Sequence, residues 1–375
     1  MKQTAIVLVI IFVFFGQLWA QNAETDFQVT LTQDGNGAII TKYVGTARIV
    51  RIPATIQGMP VLVIGNEAFT TPRRQPNNTI SYQGSPITSI MIPEGVLSIL
   101  HNTFRGCTAL ASVTIPNTIT FIGENSFSGC TALTSITIPN NVTSIGGAAF
   151  SGSGLKSITW PASVSTIAAR TVGVSYVGMF TGCKNLQTVV IPEGVTKIEP
   201  NAFSGCSALT SVKISNSITS IGERAFIECT SLASINIPNT ITSIGEYAFS
   251  GSGLRSITWP TGVSTIDTRM FSSCKSLQTV EISEGVTSIA ELAFEGCIAL
   301  TSVTLPSTIR SIGVGAFLNC SSLATVIIPE SITRIEFGGD TLPSMMYSIG
   351  YPFQGCKNLS LVSQAALRRV GYTRF

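Results

Sequence analysis

Residues Leu133 to Phe150 read LTSITIPNNVTSIGGAAF, and 23 residues earlier, from Leu110 to Phe127, the chain reads LASVTIPNTITFIGENSF. A leucine or its substitute opens each copy, at Ile87, Leu110, Leu133, Leu155, Leu186, Leu209, Leu232, Leu254, Leu277, Leu300, Leu323 and, closing the series, Leu359. Self-similarity at a fixed period of about 20 to 29 residues is the signature of a solenoid and takes precedence over any local reading. There are eleven full units.

Within a unit, apolar residues fall at the first, fourth and sixth positions (Leu110, Val113, Ile115), with Ser or Thr at the third. That alternation predicts a strand whose neighbouring side chains face opposite ways. Proline follows in most units, as at Pro116 and Pro139, and its missing N–H ends the ladder. A constant isoleucine, from Ile99 to Ile335, marks a second short extended run on the opposite wall. A turn then leads to a constant phenylalanine such as Phe104, Phe127 or Phe150. A lone unit has too little apolar surface to offset the entropy of ordering its backbone, so the copies must stack and share one interior.

The fold class expected is therefore an α/β repeat dominated by β-structure. It is a solenoid of about eleven 23-residue repeats plus caps, with a parallel β-sheet on one face and short extended or helical turns on the other. The expected organisation is a signal peptide over 1–20, a capping hairpin over 21–47, the solenoid over 48–358 and a C-terminal cap over 359–375. Lys2, the apolar run Ala5 to Phe15 and the small residue Ala20 carry the first of these expectations. The apolar run is too short to cross a bilayer, and the chain is not expected to be membrane-embedded. QDGNG, between Phe27 and Tyr43, supplies hairpin turn chemistry, and SQAALRRV from Ser363 suits a short terminal helix.

All nine cysteines, Cys107, Cys130, Cys183, Cys206, Cys229, Cys274, Cys297, Cys320 and Cys356, stand three residues after the repeat phenylalanine. Copies in register repeat every ~4.8 Å, whereas bridged cysteines need Cβ atoms about 3.5 to 4.5 Å apart, so a buried structural thiol ladder is preferred to disulfides or a soft-metal site. Two units lack the cysteine. Both are one residue short, both carry SGSGL, and both have tryptophan (Trp160, Trp259) where other copies have isoleucine; the indole is expected to fill room left by the shortened turn.

The motif Leu-x-Ser-Ile-x-Ile-Pro-x-x-Val-Thr-x-Ile-Gly-x-x-Ala-Phe-x-Gly-Cys resembles the 23-residue leucine-rich repeats of the BspA-like, treponemal-type surface proteins. The resemblance runs from Ile49 to about Leu359, and TKYVGTARIVRIPATIQGMPVLVIGNEAF looks like that family's first repeat. It implies an exported, non-catalytic binding or adhesion protein at the cell surface or outside the cell, with the periplasm as a further location. The partner implied is a protein or glycoprotein, including host extracellular matrix, or another cell. The alternative is a structural cell-envelope protein or periplasmic scaffold with no specific host ligand.

Charged residues make up 11% of the chain and the net charge is +3, too little to build a phosphate-binding stripe, so nucleic acid is not an expected partner. No cofactor motif and no metal-ligand spacing occurs, and the single histidine, His101, has no sequence-adjacent nucleophile; no enzyme activity is expected. Three stretches interrupt the rhythm: Thr70 to Pro86, Ala169 to Met179 and Glu336 to Pro352. The last two enter the same turn seven rungs apart, and insertions on one face of a repeat protein often mark its binding side. Tyr176, Met345, Met346, Tyr347 and Tyr351 are the binding candidates they offer. The strand face adds outward hydroxyls such as Ser112 and Thr114, varied at Lys213, Asn236 and Glu281.

Overall fold

The computed structural model describes residues 21–159, 161, 163–172, 175–336 and 351–373. The expected leader over 1–20, Trp160, and the candidates Met345, Met346 and Tyr347 lie outside these residues. What is described is a stack of short parallel strands that makes a β-dominated solenoid of about 13 turns. Two turns come in addition to the eleven full repeats. One is the lead-in, whose Met59–Ile64 strand pairs with Ser98–Ile99. The other is β2 (Ala38–Tyr43), which pairs antiparallel with β1 (Phe27–Leu31) and parallel with Met59–Ile64.

Each turn has three sides. On the front wall, three-residue strands pair in parallel and in register, Val189 opposite Val212 and Val280 opposite Val303. On the back wall, two-residue strands do the same, Ile198 opposite Ile221 and Ile289 opposite Ile312. The third side is the phenylalanine turn, which closes with main-chain bonds such as Phe203 N to Ala225 O (2.8 Å). Proline limits the front strands to these short lengths, and the isoleucines, leucines and phenylalanines aimed inward form one continuous buried core.

The phenylalanines stack ring on ring. From Phe69 to Phe353 successive centroids lie 5.0 to 5.8 Å apart, with planes near parallel along most of the column. Tyr43 and Phe27 extend the column at one end, and Tyr372 closes the other edge-on. The terminal helix α1 (Leu361–Arg369) begins two residues earlier than the sequence suggests. Ser360 is its N-cap, accepting from Ser363 N, and the Ser363 hydroxyl is drawn inward to accept from Val326 N (3.0 Å) on the last front strand.

Alternation predicts a front strand in every repeat, and two repeats have none. The ladder runs Ile49–Arg51 to Ser112–Thr114, resumes at Ser157–Thr159 and ends at Ser211–Lys213, then resumes from Ser256–Thr258 to Thr325–Ile327. The repeats opened by Leu133 and Leu232 are left out of it, apart from a single bridge between Thr137 and Thr159. The back wall breaks one step later, between Ile145 and Ile167 and between Ile244 and Ile266. Each break adjoins one of the two short repeats. Their turn is drawn so close to the preceding rung that a Cβ on Gly154 or Gly253 would sit 2.1 Å from the carbonyl oxygen of Thr131 or Thr230. The phenylalanine turn crosses both breaks unbroken, through Phe150 N to Met179 O and Phe249 N to Met270 O.

Candidate interaction surface

The interior is spoken for by packing, so function falls to the outside. All nine cysteines are buried and unpaired. Each Sγ donates to the carbonyl oxygen of the phenylalanine one rung back, at 3.0 to 3.3 Å. Burial pushes the Cys107 and Cys229 thiols up to about 12 and those of Cys183 and Cys274 up to about 11. A thiol held protonated and enclosed is a packing group, neither a nucleophile nor a metal ligand. Where the two short repeats lack cysteine, Ser153 and Ser252 take the place in the column, 3.4 and 3.3 Å from the sulfurs of Cys183 and Cys274.

His101 is exposed in the turn after Ile99, and its Nδ1 accepts from Glu124 N (3.0 Å), while its ring meets Phe121 edge-on. Its acceptor nitrogen is thus engaged in joining two rungs. Among the described residues there is no cluster of three or more metal-ligating side chains.

Two of the interruptions are antiparallel hairpins, and both lean on the phenylalanine-turn edge. The first pairs Thr70–Arg74 with Ile80–Gly84 and sets the Tyr82 ring 4.0 Å beneath the Arg105 guanidinium. The second pairs Ala169–Val172 with Ser175–Gly178. Its Arg170 reaches back two rungs to Glu124 (Nε to Oε2, 2.9 Å), and Asn201 Nδ2 donates to Tyr176 O (3.1 Å). Burial holds Arg105 below the usual arginine value; Arg170 acts in the same direction, while Tyr82 and Glu67 oppose it. The first and second insertions thus both anchor on the same edge, through Arg105 and Glu124 respectively, and residues 337–350 of the third lie outside the described residues. Tyr351 lies seven rungs from Phe180, half-buried, with its N–H donating to Gln354 Oε1 (3.1 Å). Tyr176 remains exposed at the hairpin.

Farther along the same edge, Tyr247 lies between two guanidiniums, Arg224 at 4.4 Å and Arg269 at 5.8 Å, with Glu223 paired to Arg224. Sequence reasoning passed over Tyr82, Arg105, Arg224 and Tyr247. The available signal was departure from the repeat: Arg105 stands where later copies place Ser128 or Ser204, ahead of the same Gly-Cys. On the front wall the hydroxyls of Ser112, Thr114, Ser302 and Thr304 are outward and exposed.

Stacked parallel rungs, a constant leucine and one shared core define a leucine-rich-repeat solenoid. The family model described as the BspA type leucine rich repeat region matches residues 78–173, 176–277 and 242–338, more than half the sequence, and the chain belongs to that family. A leucine-rich repeat protein from Bacteroides ovatus is similar in structure, with a TM-score of 0.58 and 25% identity over 89% of this chain and 92% of that one. One from Eubacterium ventriosum has a TM-score of 0.51 and 23% identity over 85% and 95% of the two chains, and shares the fold. A leucine rich cell surface protein from Faecalibacterium prausnitzii is 28% identical over 91% and 93%, with a TM-score of 0.49. Among curated proteins no match is found. No helix among the described residues is long and apolar enough to cross a membrane.

Proposed function

We propose that this protein is an exported, non-catalytic scaffold that attaches to a protein or glycoprotein partner, host matrix included, through its phenylalanine-turn edge. The reading is carried by where variation is permitted. Inward positions repeat with little change, while Tyr82, Arg105, Arg170, Tyr176, Arg224 and Tyr247 gather on one edge. Tyrosine and arginine are the residues that most often anchor interfaces, and two hairpins built on a rigid stack present them with little ordering cost. Membership of a family of repeat scaffolds supports the interaction role. Lys2 and the apolar run Ala5 to Phe15 support export.

The test is binding of the chain from Gln21 onward to immobilised extracellular-matrix proteins, beside a version in which Arg170–Val177 is replaced by Gly-Gly and one carrying Arg105→Ala and Tyr82→Ala. Saturable binding that weakens at least tenfold in both variants is expected. Binding that neither change affects would reject the edge, and saturable binding to no matrix protein would favour a structural envelope role. Protease treatment of intact cells tests location: surface placement predicts cleavage of the hairpins without lysis.

A further inference from the structure

The front-wall break at the Leu232 repeat opens a cleft of about 500 Å³, within the range of small-molecule sites. Its two banks are Ser234–Ile237 and Ser256–Trp259. Along the first bank side chains alternate exposed and buried as in a strand, yet the backbone N–H and C=O groups of Ser234–Ile237 bond to no other described residue. The second bank pairs only on its far side, with Thr279–Glu281. Main-chain donors and acceptors left unpaired by protein along an open wall can be met by a ligand that offers both kinds of partner.

The ends of the cleft are pinned. Arg255 N donates to Ala233 O (2.9 Å) at one end and Thr261 N to Asn239 Oδ1 (3.2 Å) at the other. A peptide strand cannot run through a gap closed at both ends, because an added strand needs its neighbours roughly 9.6 Å apart along its whole length. The occupant must be compact and enter from the exposed face. The lining is amide, hydroxyl and apolar, without a charged side chain, and the Glu281 carboxylate just beyond it accepts from Thr258 Oγ1 (3.0 Å). An acidic ligand would face that carboxylate, whereas a neutral polyol meets only groups it can bond.

We infer that this cleft is a subsite for a single neutral sugar residue, held by the Ser234–Ile237 main chain, the Asn236 and Asn239 amides and the Ser256 hydroxyl. The chain carries its own control. The first break repeats the same residues, Ser135-Ile136-Thr137-Ile138 facing Ser157-Ile158-Thr159, with one difference: Thr137 stands where the second break has Asn236. There Thr137 bridges to Thr159 and spans the gap. Threonine favours a strand and asparagine does not, so the shortened turn interrupts the ladder at both places and Asn236 leaves the second gap without the bridge that Thr137 makes across the first. The inference stands whether or not the turn edge binds a protein.

Ligand-observed saturation-transfer NMR and amide chemical-shift titration on the chain from Gln21 onward test it. The probes are methyl β-galactoside, methyl α-mannoside and N-acetylglucosamine, with glucuronate and acetyl-tetraalanine amide for contrast. At least one neutral sugar is expected to shift the Asn236 and Asn239 side-chain amides saturably, with binding at least tenfold weaker in Asn236→Thr. Ser256→Val, an exposed substitution that leaves the core untouched, serves if the first variant unfolds, and is expected to weaken binding at least threefold. Saturable binding by none of the sugars, unchanged affinity in a folded variant, or tighter binding of glucuronate or the peptide would overturn the assignment.

Discussion

The Sγ of Cys130 donates to the carbonyl oxygen of Phe104 on the rung before it, at 3.2 Å, so the thiol column and the phenyl column are tied to each other at every turn that has a cysteine. Bonded and buried, the thiols of Cys107, Cys183, Cys229 and Cys274 keep their protons well above the ordinary value of 9.0, Cys107 and Cys229 to about 12 and Cys183 and Cys274 to about 11. In the unfolded chain they ionise near 9, so above that pH the folded state binds more protons than the unfolded state and stability falls as pH rises. The contribution is complete below pH 9 and declines through about pH 11 to 12, by up to ~1.4 kcal/mol per pH unit for each thiol. Urea unfolding at pH 8 and pH 10.5 checks this; equal midpoints would refute it. A thiol-reactive dye is expected to label none of the nine at pH 7.5 until denaturant is added.

A left-handed backbone position recurs two residues after the repeat phenylalanine from Phe104 onward. Glycine fills it in most turns, as at Gly129 (φ 74°) and Gly205 (φ 69°), but Glu228 occupies it at φ 57°. A side chain there costs about 1–2 kcal/mol, which the larger conformational freedom of an unfolded glycine offsets only in part. Glu228→Gly is expected to raise stability by about 0.5–1 kcal/mol in chemical denaturation. A loss of stability would show that the Glu228 side chain contributes more than its backbone strain costs.

The stack was legible because its cause is periodic. Leucine, isoleucine and phenylalanine recur at fixed offsets, and a core shared between copies leaves only one way to place them, as Val189 opposite Val212 illustrates. Breaks in the ladder were not legible, since Ser234-Ile235-Asn236 carries the same alternation as its paired neighbours, and what sets it apart is the shorter turn that follows and an asparagine in place of a bridging threonine. The turn edge was read in part. Tyr176 announced itself inside an insertion, whereas the Arg105 to Tyr82 contact joins residues from separate rungs whose approach no local pattern encodes.

In each shortened turn one glycine lies directly against the preceding rung. A Cβ at Gly253 would meet the Thr230 carbonyl oxygen at 2.1 Å and could be relieved only by moving backbone. Gly253→Ala is expected to destabilise the chain by about 1–3 kcal/mol, as overpacking does elsewhere. Thermal unfolding checks it, with Gly285→Ala, at an open turn position beside no near neighbour but one, as the comparison for backbone strain alone.

Trp259 is fully buried and meets Phe271 edge-on, with centroids 5.6 Å apart, while its Nε1 donates to Val263 O at 3.2 Å. The indole thus does two things at the break: it fills the interior behind the open front wall, and it pairs a carbonyl of the following turn. The two roles separate by substitution. Trp259→Phe keeps most of the volume and leaves the buried Val263 carbonyl without this donor, at a cost of about 1–3 kcal/mol. Trp259→Ala removes the filling as well and is expected to cost about 3–5 kcal/mol. Denaturant midpoints of the two variants measure the difference, and amide exchange locates it. Protection is expected to fall first at Arg255 and Thr261, whose amides pin the ends of the cleft, and to persist at Phe249 and Phe271, where the phenylalanine turn runs through the break. Equal loss of protection on all three sides of the turn would mean that the break is no weaker than the rungs around it.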